Sequence, residues 1–190
     1  MILIDPELDL SAVTDALNPV SAKPSAGPAA AAPGRKSPVA PLRLPSVRTL
    51  AQFLTRAQAA VRLRGQVTVL VTSDAAMRDL NRRFRGKDEA TDVLSFPATN
   101  PLQSQKEIAG DVAISVETAR KQAAEQGHML GVELKVLILH GLLHLAGYDH
   151  ETDAGKMQRR ERQLRAKLGL PEGLIERAAP KRTKTRRRKP

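Results

Sequence analysis

Residues 132–150 read VELKVLILHGLLHLAGYDH. From Val132 to Ala146 the pattern is helical in length and apolar nearly all round, so it predicts a helix buried in the core, with the other elements wrapped about it. Gly147 is placed to stop this helix, because glycine readily takes the left-handed backbone of a helix end. The whole chain has 4 histidines, and three of them, His140, His144 and His150, fall inside this stretch. A helix turns by about 100° per residue, so His140 and His144 share one face, one turn apart. Gly147 lets the chain leave the helix, and His150 follows three residues later, within reach of the same point. Three neutral imidazoles suit zinc and leave a fourth position for water, the layout of a catalytic rather than a structural site. The expectation is one Zn2+ per chain, held by His140, His144 and His150.

The spacing matches the long metallopeptidase pattern H-E-x-x-H-x-x-G-x-x-H with one departure. Gly141 stands where a peptidase keeps its general-base glutamate. Peptide hydrolysis needs that base to deprotonate water and to protonate the leaving amine. The metal geometry without the base argues for a substrate with an easier departure or another proton route. Phosphodiester cleavage in RNA is one candidate, since RNA supplies its own 2′-hydroxyl and a metal stabilises charge on the phosphate.

Outward from the central helix, DAGKMQRRERQLRAKLG reads as a charged amphipathic helix with Met157, Leu164 and Leu168 on its apolar side, and Pro171 to Ala178 adds one more turn. Upstream, VETARKQAAEQ is a helix closed by Gly127, AGDVAIS and VLSFP are strands, and NPLQSQKE and RGKDEATD are loops. AAMRDLNRRF predicts a helix capped by Asp74, with Met77, Leu80 and Phe84 inward. QVTVLVTS alternates and is rich in β-branched residues, so it reads as a strand. Ser46 caps a helix carrying Val47, Leu50, Phe53, Leu54, Ala57 and Val61 on one stripe, ended by Gly65. MILID is a short strand, and Asn18 to Pro45 is a linker rich in proline and alanine. The sum is an α+β protein of the layered, sandwich-like kind: a small mixed sheet of about four strands with about five helices in a single domain. The expected boundaries are an N-terminal strand and flexible linker at 1–45, a metal-dependent catalytic domain at 46–178 and a disordered basic tail at 179–190.

Composition narrows the chemistry. There is no cysteine, which excludes disulfides, thiolate metal ligands and a cysteine nucleophile. No stretch has the roughly 18–20 apolar residues of a membrane span, and MILIDPELDL lacks the basic start of a signal peptide, so the expected location is the cytoplasm, away from membranes. The formal charge is +11, and Pro180 to Pro190 carry seven basic residues and no acidic one. Such a tail favours polyanions, nucleic acid above all.

HGLLHLAGYDH closely resembles the signature H-G-x-L-H-L-x-G-Y-D-H of the YbeY family of bacterial endoribonucleases and rRNA maturation factors. LNRRFRGKDEATDVLSFP, Leu80 to Pro97, is similar to that family's L-N-x-x-[YF]-R-x-x-x-x-x-T-D-V-L-S-F-P, and GDVAIS, Gly110 to Ser115, to its G-D-I-x-I-S strand. The resemblance covers about Ser46 to Leu170; the proline- and alanine-rich insertion and the basic tail depart from it. It implies zinc on His140, His144 and His150, and a single-strand-preferring endoribonuclease acting in ribosome assembly, in 16S rRNA 3′-end maturation and in ribosome quality control. It implies rRNA and the small subunit or ribosome as partners, with small-subunit ribosomal proteins and an Era-type GTPase beside them. It also gives Arg85 a role in activity. A guanidinium holds a phosphate by two parallel bonds, whereas a surface arginine with no role is the plainer reading. Asp149, beside His150, is read as a support for a histidine, as a proton relay or as a cap for the following helix. Thr91, Asp92, Ser95 and Asp111 fit loop fixing as well as catalysis, Tyr148 fits packing as well as a hydroxyl at the site, and His128 reads as a surface residue. The rival from another class is a non-enzymatic ribosome-binding assembly factor with a structural metal. A metallopeptidase comes third because of Gly141.

Overall fold

The computed structural model describes residues 1–8, 44–98, 108–150 and 152–171. The expected linker, the NPLQSQKE loop, the turn after Pro171 and the basic tail lie wholly or mostly outside these residues. Among the described residues nine elements follow one another: β1 (Ile2–Ile4), α1 (Val47–Val61), β2 (Gln66–Thr72), α2 (Asp74–Arg85), β3 (Val93–Pro97), β4 (Ile108–Ser115), α3 (Val116–Gln126), α4 (Leu130–Leu145) and α5 (Lys156–Leu168). The strands form one mixed sheet in the order β1-β2-β4-β3. β1 and β4 run parallel to β2, and β3 is antiparallel to β4 at the edge. The α+β class, the mixed four-stranded sheet and the five helices are those expected.

Alternation along the strands sorts the two faces. Val67, Val69 and Val71 of β2 and Val112 and Ile114 of β4 enter the main core with Leu50, Phe53 and Leu54 of α1 and the apolar face of α4. Leu94 of β3 and Ala113 of β4 point the other way and meet Met77 of α2, with Leu80 and Phe96 partly buried beside them. Twelve of the sixteen residues of α4 are buried, Leu134, Val136, Leu137, Ile138, Leu139, Leu142 and Leu143 completely, so this helix is the centre of the fold. Among the described residues no single helix is long and apolar enough to cross a membrane.

Some boundaries differ from expectation. α1 ends at Arg62, whose own backbone takes the left-handed conformation (φ 67°). Gly65 instead serves a close approach: with φ +95°, a Cβ there would lie 2.9 Å from the Ala109 nitrogen. The cap of α2 is Ser73, whose hydroxyl accepts from the Ala76 N–H. Asp74 is the first helical residue and binds the hydroxyls of Ser115 and Thr118, tying the starts of α2 and α3 together. Val47 and Phe84, both expected inward, are exposed. His128 is mostly buried and paired with the buried Glu133 carboxylate, not on the surface.

Candidate metal centre

The end of α4 builds the site. Gly147 N–H bonds the His144 carbonyl at 2.9 Å and Tyr148 N–H bonds the Leu143 carbonyl at 3.1 Å, a Schellman turn with Gly147 at φ +85°. The turn sends the chain back over its own helix, so His150 returns to the last turn. Each of the three histidines then offers one ring nitrogen within 4.8 Å of the others, a set that could hold a metal ion. His140 Nε2 and His144 Nε2 lie 3.1 Å apart. Zinc–imidazole bonds of about 2.0–2.1 Å at a tetrahedral angle put two ligand nitrogens roughly 3.4 Å apart, close to this spacing. Nδ1 of His150 is buried without a hydrogen-bond partner among the described residues. Burial, together with the neighbouring His140 and His150 rings, pushes His144 down to about 4. The ring is therefore neutral at physiological pH, the form in which imidazole binds a metal. Donor type, spacing and protonation all fit zinc.

Support comes from α5, which sequence reasoning missed. His140 Nδ1 faces Glu161 Oε2 at 3.2 Å. Arg165 Nε donates to Glu161 Oε1 at 2.8 Å, and Arg165 Nη1 donates to the Pro171 carbonyl at 2.8 Å. Glu161 and Arg165 are both buried. Burial alone would raise the Glu161 carboxyl, but its contacts with His140 and Arg165 outweigh this and hold it below the usual carboxylate value. A signal existed: Met157, Glu161, Leu164, Arg165 and Leu168 fall at offsets 0, 4, 7, 8 and 11, so two charges stand inside an apolar stripe.

Gly141 faces the sheet. A Cβ there would meet Val112 Cγ1 at 2.7 Å, Val112 Cγ2 at 3.1 Å and Ser95 Oγ at 3.2 Å. Ser95 Oγ also donates to the Gly141 carbonyl at 3.3 Å. The position of a peptidase's glutamate is thus filled by β4, and the helix lies too close to the sheet for any side chain.

Arg85 ends α2 and is exposed, with no salt-bridge partner among the described residues. Its charge reaches His144, whose protonation it opposes. Asp149 acts on the same ring in the opposite sense. Its Oδ2 accepts from the Thr152 hydroxyl at 2.8 Å, and its carbonyl accepts from Thr152 and Asp153 N–H, so it also shapes the turn before α5. Asp92 has a fixing role: its carboxylate accepts from Val93 N–H at 2.8 Å and from Gln122 at 2.9 Å, and Thr91 bonds it at 3.2 Å. Tyr148 packs against the main core. Asp111 is exposed on β4.

A family model described as Endoribonuclease YbeY matches residues 43–169. The chain belongs to the YbeY family. The Endoribonuclease YbeY of Koribacter versatilis is 55% identical over 144 residues, 76% of this chain and 91% of that protein. The Endoribonuclease YbeY of Solibacter usitatus is 50% identical over 143 residues, 75% of this chain and 90% of that protein. A solved solution structure, that of TM1509 from Thermotoga maritima, is 26% identical and covers 66% of this chain and 85% of that one, with a TM-score of 0.47. The YbeY match spans every helix and strand but β1, together with all three clustered histidines and Arg85.

Proposed function

We propose that this member of the YbeY family is a zinc-dependent endoribonuclease that prefers single strands and acts in the cytoplasm on ribosomal RNA, including the 3′ end of 16S rRNA, in ribosome assembly and quality control. The observation that carries this reading is the convergence of His140, His144 and His150, with the His144 ring under the charge of Arg85, a cation without an acidic partner among the described residues. The three histidines hold one zinc ion per chain. The bound ion supplies Lewis acidity for charge that develops on the phosphate and lowers the pKa of water.

The protein's own residues do the rest. Arg85 grips two phosphate oxygens by parallel N–H bonds and stabilises the charge they gain at cleavage. Glu161 holds His140 through Nδ1 and leaves Nε2 for the ion. Asp149 shapes the turn that returns His150 and places a negative charge beside the His144 ring. Gly141 leaves no peptidase base at the cluster, in keeping with a phosphodiester substrate. The partners are rRNA and the small subunit or ribosome, with small-subunit ribosomal proteins and an Era-type GTPase. The tail at 179–190 is a polyanion contact outside the catalytic domain at 46–178.

Incubating the zinc-loaded protein with precursor rRNA and mapping new ends tests the reading. Cuts in single-stranded segments are expected from wild type and not from His144→Ala. Intact RNA with a protein that keeps its zinc and binds ribosomes would replace the enzyme with an assembly factor.

A further inference from the structure

We infer that Phe84 is a stacking platform for an unpaired RNA base. The inference rests on the RNA reading above and extends it to a residue that recognises the base. The chain has 3 Phe and 1 Tyr. Phe53 is in the core, and a protein this short of aromatics has every reason to bury the others. Yet Phe84, on the last turn of α2, is 60% exposed. Its ring leans edge-on against Phe96 of the edge strand β3, with centroids 5.0 Å apart at 65°. The Arg83 guanidinium lies 5.7 Å from the Phe84 centroid. Phe96 supports the ring from one side while much of its surface stays open.

The surroundings select the occupant. Arg78 forks onto Asp88 with both bonds at 2.7 Å, and Arg82 pairs with Asp79 at 2.6 Å. Those pairs engage Asp79 and Asp88, and Arg83, Arg85 and Lys87 have no salt-bridge partner among the described residues. Cations at a helix C-terminus complement its dipole, but that does not explain an open aromatic ring among them. The buried core of a protein interface is depleted in charge, whereas the residues flanking Phe84 on both sides are cations. An exposed aromatic ring set among guanidinium groups that lack acidic partners suits a nucleotide, with the base on the ring and phosphates on the cations. In a duplex the base faces are hidden by their neighbours, so the platform works only on unpaired RNA.

The test uses the zinc-loaded full chain with Phe84→Leu, Phe84→Tyr and Phe84→Trp. The probe is a fluorescent, 2′-O-methylated oligoadenylate of about 12 nucleotides, within the usual site size, alone and as a duplex with oligouridylate. Phe84→Leu keeps apolar bulk and loses the ring, and should weaken single-strand binding about 5- to 150-fold. Phe84→Tyr should stay within about threefold of wild type, and duplex binding should not separate the variants. Phe84→Trp introduces the only tryptophan in a chain that has none, and its emission should be quenched on saturation with the single strand. Zinc content and melting temperature, measured on each variant, identify any that misfold, with Phe84→Tyr as the conservative check. Wild-type affinity in Phe84→Leu, or unquenched tryptophan emission in RNA-saturated Phe84→Trp, overturns the platform. A blue shift of that emission on adding RNA-free ribosomal proteins would then assign the ring to a protein. Failure of wild type to bind the probe at all removes the RNA reading itself, a separate outcome.

Discussion

His140 Nδ1 lies 3.2 Å from Glu161 Oε2, a polar contact between the central helix α4 and the charged helix α5. It fixes the tautomer of His140, with the proton on Nδ1 shared toward the carboxylate and the Nε2 lone pair aimed at His144. Glu161→Gln should therefore weaken zinc binding by about 10- to 100-fold, the usual effect of losing a carboxylate behind a ligand histidine. Chelator competition measures it. Equal affinity in Glu161→Gln and wild type would reduce Glu161 to a packing residue.

Arg165 is the other half of that pair. Arg165→Leu leaves the buried Glu161 charge with no guanidinium, and breaking a buried pair from one side costs about 3–5 kcal/mol. Chemical denaturation of the metal-free protein should show the loss. A change under about 1 kcal/mol, the scale of an exposed pair, would mean that water already reaches Glu161.

Gly141→Ala should destabilise although alanine is the better helix former by about 1 kcal/mol. The added methyl would sit 2.7 Å from Val112 Cγ1, and Val112 is buried and stiff at χ1. Overpacking of this kind costs about 1–3 kcal/mol. A raised melting temperature would show that α4 can lift off the sheet freely.

Acidification should destabilise the metal-free protein between pH 6.5 and about 4. Over that window the unfolded chain takes up a proton at His144 and the folded chain does not, because its His144 is lowered to about 4. The unfolded state then binds more protons, so stability falls as pH falls. Glu161, also lowered, adds a loss of the same sign below the ordinary carboxylate value of 4.5. Denaturation midpoints from pH 7 to 4 measure the slope, and His144→Gln should flatten it. A slope unchanged by that variant would place the titration elsewhere.

Much of this was legible beforehand, for reasons that differ by element. The apolar run of α4 could only be a core helix, and the 0, 4, 10 spacing with Gly147 at offset 7 is local enough to fold into one cluster by itself. Glu161 was hidden because it acts from α5 across to α4, and the spacing along α5 says only that a charge stands in an apolar stripe. The surface ring of Phe84 was misread for a related reason. It keeps the helical spacing of Met77, but the sheet runs out beneath it at edge strand β3. Gly141 was noticed for the base it lacks, while its tight contact with Val112 depends on a helix–sheet distance that no single sequence displays.

Single-turnover cleavage of a single-stranded RNA by zinc-loaded wild type and Arg85→Ala, with zinc content measured in parallel, tests the central claim most directly. A lost charge-assisted phosphate contact is worth about 1.5–3 kcal/mol, so Arg85→Ala should cut roughly 10- to 150-fold more slowly. Its zinc content and melting temperature should match wild type, since an exposed arginine contributes little to folding. Arg85→Lys should recover part of the rate, because a point charge makes only some of the bonds of a fork. Equal rates in wild type and Arg85→Ala would contradict the account and leave the cation beside the three histidines without a part in the reaction.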